Sequence, residues 1–315
     1  MTQSVRTCFS RVVFAAALLL LSPIAAYAQT QRQGAGPELT AGSAWKSLLE
    51  KHNAYIGLMN RTLRAVDSWR RYTSWVNVKT GPTGRERYIS YGLYTLYDVR
   101  RETDRVLKVM GEEPLMPDLD ATVGRYVEAY EKLAPLIARA AAYYERQDYR
   151  DDQMAEGKRL HGELVPAATT FLKERESLEA QMQRLSASIS ERELGIIEAT
   201  EGRSARWHIR DVMIEARRML DAMPTSKAPI VRMAEFDKVL ADYAASVRRL
   251  DEFNQANPGK IKFFDSQPRS LLSKLRDYRD RLVRAKGDGR RAGATNWIVF
   301  DYNSMLRSAE TASRF

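Results

Sequence analysis

The sequence is poor in the residues from which most active sites are built. It holds one cysteine and three histidines in 315 residues. The cysteine, Cys8, falls inside a stretch with the marks of an export signal: Arg6 and Arg11 form a basic start, Val12 to Leu21 an apolar core, and Ala26-Tyr27-Ala28 a small-residue cleavage site. Removal of residues 1–28 leaves a chain without thiols, which excludes disulfides, thiolate-bound zinc, iron–sulfur clusters and cysteine nucleophiles. Cys8 precedes the apolar core, and Gln29 stands at the cleavage point, so attachment of a lipid by the lipoprotein route is excluded too. Long apolar runs are equally scarce. The signal core is too short and wrongly flanked for a lasting anchor, and a periplasmic or secreted protein without a transmembrane segment after cleavage is expected.

What is present is helical pattern and charge. Hydrophobic residues make up 44% and charged residues 29% of the chain, a globular balance. Without the signal, 315 − 28 = 287 residues remain and the net charge falls from +10 to +8. Apolar residues recur at three- and four-residue spacing with little β-branched alternation, which predicts an all-α protein, an elongated multi-helix bundle of antiparallel helical hairpins. The expected layout is a flexible leader over 29–42, followed by one helical domain over 43–315.

Within that domain a first helix is expected from Ser43 to Trp75, broken by VKTGPTG. A second spans about Arg85 to Met110 and carries Tyr88, Tyr91, Tyr94 and Tyr97. Steps of three residues spread these rings over half a helix circumference, so packing outweighs a glycan or aromatic-ligand groove. A third helix runs from Asp120 to Arg146, bent at Pro135, and a long fourth, with Pro166 in its early part, follows an acidic elbow. Ser204 is expected to cap the next helix. Further helices cover about Val231 to Phe253 and Ser270 to Lys286. The tail residues Trp297, Ile298, Phe300, Tyr302 and Leu306 are expected to dock on the core.

The elbow, within YYERQDYRDDQMAEGKRLHGELVPAATTF, is the most distinctive stretch. Asp148, Asp151 and Asp152 stand where a helix starts, and carboxylates there cap free backbone N–H groups. The run lacks the alternating acids and central glycine of a calcium loop. From Met154 a seam of Gly157, His161, Leu164, Ala168, Phe171, Arg175, Leu178, Met182 and Leu185 lies along one helix face and favours packing within the molecule over a coiled-coil dimer. His161 thus faces the interior, about 15 Å along the helix from Asp151. Its partner must come from another helix, and a tyrosine hydroxyl or a carboxylate is the expected one.

This run resembles the central motif of the YiiG-like family of bacterial envelope proteins. NAYIGLMN at Asn53 to Asn60 and DYNSML at Asp301 to Leu306 are similar to that family's ends. The resemblance implies a largely helical envelope protein with no established activity, no catalytic residues and no cofactor. Tyr144, Tyr149, Asp151, Asp152, Gly157, Lys158 and His161 carry over as motif positions without an assigned role.

Two other features invite a function. His208 and Asp211 form an H-x-x-D pair, but the residues three before His161 and His208 are Lys158 and Ala205, so the paired E-x-x-H of a di-iron bundle is absent, and no metal site is assigned. Lys274 to Arg291 hold eight Lys and Arg (Lys274, Arg276, Arg279, Arg281, Arg284, Lys286, Arg290, Arg291) against three Asp. In an exported protein such a face suits a lipid headgroup, lipopolysaccharide or peptidoglycan rather than nucleic acid. The expected function is therefore a non-enzymatic binding or structural component of the envelope. The alternatives are an envelope enzyme using His161 and nearby carboxylates on peptidoglycan or a phosphate ester, and a metal-binding periplasmic protein.

Overall fold

Helices account for almost all the regular structure. The computed structural model describes residues 37–225, 228–262 and 264–312, so the export signal and most of the leader lie outside the described residues. The helices are α1 (Pro37–Arg61), α2 (Leu63–Thr73), α3 (Arg100–Met110), α4 (Pro117–Arg146), α5 (Ala155–Glu201), α6 (Ala205–Asp221), α7 (Met233–Ala256), α8 (Ser266–Arg284), α9 (Gly289–Ala292) and α10 (Asn296–Ala312). Among the described residues the only β pairing is an isolated bridge between Ile230 and Asp288. The fold class is all-α.

The chain divides into two units, one within Gln31–Ser186 and one in Ala187–Phe315. In the first, α1 packs on α3, and α4 on α2 and α3. The expected first helix is two helices, divided at the buried Thr62, whose hydroxyl turns back on the carbonyls of Leu58 (2.7 Å) and Met59 (3.2 Å). Back-bonding of this kind often bends a helix. Polar side chains run through this core. Lys51, 1% exposed, donates to the carbonyls of Met110 (3.3 Å) and Pro114 (3.1 Å) and pairs with Asp120 at 3.1 Å. Asp120 also accepts from the Tyr55 hydroxyl and from the Met116 amide. Arg175, on the seam of α5, donates to the Met59 carbonyl (2.9 Å) and to Tyr126 (3.0 Å). The seam itself is buried from Met154 to Met182, with Leu185 half-buried.

The expected second helix is a correction. Residues 85–99 hold only a short 3-10 turn at Ile89–Tyr91, and α3 begins at Arg100. Gly84 (φ 84°) and Gly92 (φ 51°) adopt left-handed backbone, and the residues after Gly92 run extended along α2. Their backbone groups are met by side chains: the Asp98, Thr95, Tyr94 and Gly92 carbonyls accept from Arg61 Nε, Arg64 Nε, Ser68 Oγ and Trp75 Nε1. An extended strap of this kind needs no sheet, because side-chain donors replace the missing ladder.

In the second unit α6 packs on α7, α7 on α8, and α10 on α6 and α8. Val212, Met219, Phe236, Tyr243, Leu250, Leu275, Tyr278 and Met305 belong to one continuous apolar core. Ser204 caps α6, accepting from the Trp207 amide. Ile261 and Phe264 are buried. Helices α4 and α5 continue through Pro135 and Pro166. In the tail, Ile298, Tyr302 and Leu306 are buried, Trp297 is half-buried, and Phe300, at 68% exposed, points away from the core it was expected to join.

Candidate functional site

Helix α4 ends in Tyr143 and Tyr144, both buried, and Gln147 turns the chain with φ 61° into a 3-10 turn at Asp148–Arg150. Asp152 then starts α5. One carboxylate oxygen accepts from the Met154 amide (2.9 Å) and the Tyr143 hydroxyl (2.8 Å), the other from the Glu156 amide (2.9 Å). Burial alone would raise the Asp152 pKa, but these donors outweigh it and the net shift is downward. The carboxylate is a helix cap. Asp148 pairs with Arg146 at 2.5 Å, and Asp151 is exposed.

One turn into α5, Gly157 admits the two tyrosines. A Cβ there would lie 2.4 Å from Met154 Sδ, 3.1 Å from Tyr143 Cε1 and 3.1 Å from the Tyr144 hydroxyl. A further turn on stands His161, 9% exposed. Its Nε2 lies 3.1 Å from the Val78 carbonyl and its Nδ1 lies 3.0 Å from the Tyr72 hydroxyl. A carbonyl only accepts, so Nε2 carries the proton and donates, and Nδ1 accepts from Tyr72. Gly81, with φ 74°, closes the loop over the ring; a Cβ on it would sit 3.0 Å from His161 Cδ2.

Aromatic rings fill the space behind this pair. Tyr72 meets the edge of Trp75 at 5.3 Å, and Trp75 meets Tyr144 at 4.9 Å. Tyr149 reaches Tyr143 and Tyr144 at 6.5 and 6.3 Å. Burial pushes up the pKa of Tyr72, and it does the same for Tyr144, with the Tyr72 hydroxyl adding to the effect. Both phenols stay protonated at neutral pH, and the Tyr144 hydroxyl is buried without a hydrogen-bond partner among the described residues.

The structure therefore gathers Tyr144, Tyr149, Asp152, Gly157 and His161 into one corner, while Asp151 and Lys158 are exposed. The tyrosine partner expected for His161 is Tyr72, from α2. Sequence reasoning did not single out Tyr72, Trp75 or Val78; their only signal was their place just before the Gly-Pro break. Chemically the corner is closed: neither imidazole nitrogen is left for a substrate, and Asp152 is engaged by its own helix. His208 and Asp211 are both buried, but Asp211 is held by Arg249 at 2.6 Å, and His208 packs against Phe253 at 4.6 Å between ring centroids. Among the described residues no three His, Cys, Asp or Glu side chains converge as a metal site would require.

The eight cations of α8, α9 and the turn between them, which carries Lys286, separate into two groups. Lys274 pairs with Asp301 (2.5 Å), Arg279 with Asp237 (2.9 Å) and Arg290 with Asp288 (3.3 Å), and Arg281 lies over the Tyr278 ring at 5.1 Å. Arg276, Arg284, Lys286 and Arg291 are exposed and form no ion pair among the described residues.

A family model described as "Protein of unknown function (DUF3829)" matches residues 46–308. The chain belongs to the DUF3829 family. The match takes in the aromatic corner and the basic helix alike. This DUF3829 chain is helical, and its family is described as one of unknown function. The chain is also 28% identical over 200 residues to a protein of Escherichia coli strain K12 described as "Uncharacterized protein YiiG", covering 61% of this chain and 57% of that one. The aligned part thus spans little more than half the length of that relative. No solved structure matches the chain. Among the described residues no helix is long and apolar enough to cross a membrane.

Proposed function

We propose that this DUF3829 protein is exported and acts without catalysis, holding an anionic component of the bacterial envelope on the basic face of α8 and α9. The observation that carries the reading is the group of four exposed cations, Arg276, Arg284, Lys286 and Arg291, without ion-pair partners among the described residues. Their neighbours Lys274, Arg279 and Arg290 are already matched by carboxylates. Unmatched cations attract lipid headgroups, lipopolysaccharide phosphates or the acidic groups of peptidoglycan, and contact of this kind weakens as salt shortens the Debye length. The closed state of the His161 corner supports the non-enzymatic half of the proposal.

The test mixes the protein with anionic vesicles, lipopolysaccharide and peptidoglycan sacculi at about 0.01 M and about 1 M salt, where the screening length falls from about 30 to about 3 Å. Retention in at least one fraction at low salt, lost at high salt and in the Arg276→Gln, Arg284→Gln, Lys286→Gln, Arg291→Gln variant, is the expected result. No retention in any fraction at low salt overturns it.

A further inference from the structure

A second charged surface lies in the unit within residues 31–186. Arg61, Arg64, Ser68, Arg71 and Trp75 recur in steps of three and four and so form one stripe along α1 and α2. The extended strap runs antiparallel to that stripe, and its tyrosines interleave with the arginines. Arg61 lies over Tyr97 at 4.6 Å, and Arg64 and Arg71 both lie over Tyr94, at 3.9 and 4.3 Å. Arg71 also reaches Tyr91 at 5.7 Å; Tyr91 stacks on Tyr88 at 5.0 Å and 21°, and Arg87 lies over Tyr88 at 5.3 Å.

This ladder is more than a clasp for the strap. Tyr88, Tyr91 and Tyr97 are 43, 48 and 51% exposed, although rings whose only task was packing would be covered. Arg61 and Arg64 use only Nε on the strap carbonyls. The Arg71 guanidinium makes no hydrogen bond among the described residues, and its Nε is buried without a partner. The nearby acids are engaged elsewhere: Asp67 with Arg70, Asp98 with Arg100, and Glu86 with the amides of Thr83 and Gly84. Residues 61–105 hold ten Lys and Arg against five Asp and Glu, a net +5 out of the chain's +10. Guanidiniums held over rings lose less entropy when their remaining N–H groups meet an oxyanion.

We propose that this ladder binds a linear acidic polysaccharide, its carboxylate or phosphate groups on the outer N–H groups of Arg61, Arg64 and Arg71 and its sugar faces on the exposed tyrosines. Arg64 and Arg71, seven residues apart on α2, are about 10 Å apart along that helix at 1.5 Å per residue, and Arg61 precedes them at the end of α1. A stripe suits a polymer better than the plane of a bilayer. Tyr94 is covered by two guanidiniums, which leaves Tyr97 and the stacked pair of Tyr88 and Tyr91, 43 to 51% exposed, as the ring surfaces open to a sugar. The surface is independent of the α8–α9 face, and either proposal can fail alone.

The test is calorimetric titration of the full protein with oligogalacturonate, a linear polyuronate, beside neutral maltodextrin, single-stranded DNA and phosphatidylglycerol vesicles. The expected result is salt-dependent binding of the polyuronate, weakened about tenfold or more in Arg61→Gln/Arg64→Gln/Arg71→Gln and unchanged in the four-residue α8–α9 variant. If the arginine variant melts early, Tyr88→Leu/Tyr97→Leu decides instead, since both rings are solvent-facing; it too is expected to weaken binding about tenfold. Polyuronate binding that is absent, or untouched by the tyrosine variant, overturns the proposal. Tighter binding of DNA or of vesicles than of the polyuronate overturns it in favour of that partner.

Discussion

The two units reach a stable interior by different routes. Within residues 31–186 the core is threaded by charge and hydroxyl: Lys51 with Asp120 and Tyr55, Arg175 with Tyr126, His161 with Tyr72. In residues 187–315 one large apolar cluster runs from Ile209 to Ala312, and the buried charges beside it stand on α6: Arg210, paired with Glu193 at 2.6 Å, Asp211, paired with Arg249 at 2.6 Å, and Glu215. A buried polar network adds little net stability, but each member is costly to remove, because its partner is left charged or unbonded in a dry place. An apolar core tolerates replacement in proportion to the volume lost. The first unit ties α1, α4 and α5 together through its buried polar groups, and it also contains the irregular strap.

The comparison is broken most sharply at Asp120. Asp120→Ala leaves the Lys51 ammonium buried and is expected to cost about 3–5 kcal/mol in urea unfolding. Lys51→Met/Asp120→Leu should recover most of that loss, because removing both charges removes the penalty. Leu275→Ala, in the apolar core of α8, is expected to cost about 2–5 kcal/mol, with no second substitution of a polar partner able to restore it. If the double variant at 51 and 120 is no better than Asp120→Ala, the distinction between the units fails.

Smaller effects sharpen it. Gly81→Ala forces a side chain into left-handed backbone against the His161 ring and should cost about 1–3 kcal/mol. Tyr72→Phe deprives His161 Nδ1 of its donor at about 1–3 kcal/mol, read as a lowered thermal midpoint. The smallest effect is a change of slope with pH. Burial lowers the His208 pKa from its ordinary 6.5, Asp211 opposes this, and Arg249 and Arg203 add to it. The folded chain then binds fewer protons than the unfolded one, so stability is complete above pH 6.5 and declines as the pH falls below it. His208→Leu, with a buried unbonded Nδ1 removed, should leave neutral-pH stability within about 0.5 kcal/mol and flatten the acid decline. The part due to His52, whose pKa burial also lowers against the opposing bond from Asn53, should remain.

The same contrast explains how much could be read from the sequence. The seam from Met154 to Met182 and the capping role of Ser204 follow from periodicity and local chemistry, and the structure has both. The strap over 92–98 does not follow, because its four carbonyls find donors on Arg61, Arg64, Ser68 and Trp75. Tyrosines at every third position imitate a helix, and only a distant stripe of side chains makes the extended form stable. For His161 the residue and its inward direction were legible. Tyr72 and the Val78 carbonyl were not, since they stand 89 and 83 residues away. Among the cations of α8 and α9, composition alone could not separate matched from unmatched ones.

The central claim is that the motif histidine closes a structural corner and is not a reactive group. Long-range proton–nitrogen NMR of the His161 ring tests it most directly. The account predicts a single tautomer with the proton on Nε2, exchanging slowly with water and losing that definition in Tyr72→Phe. A ring protonated on Nδ1, or one that exchanges freely and ignores the loss of the Tyr72 hydroxyl, would contradict it.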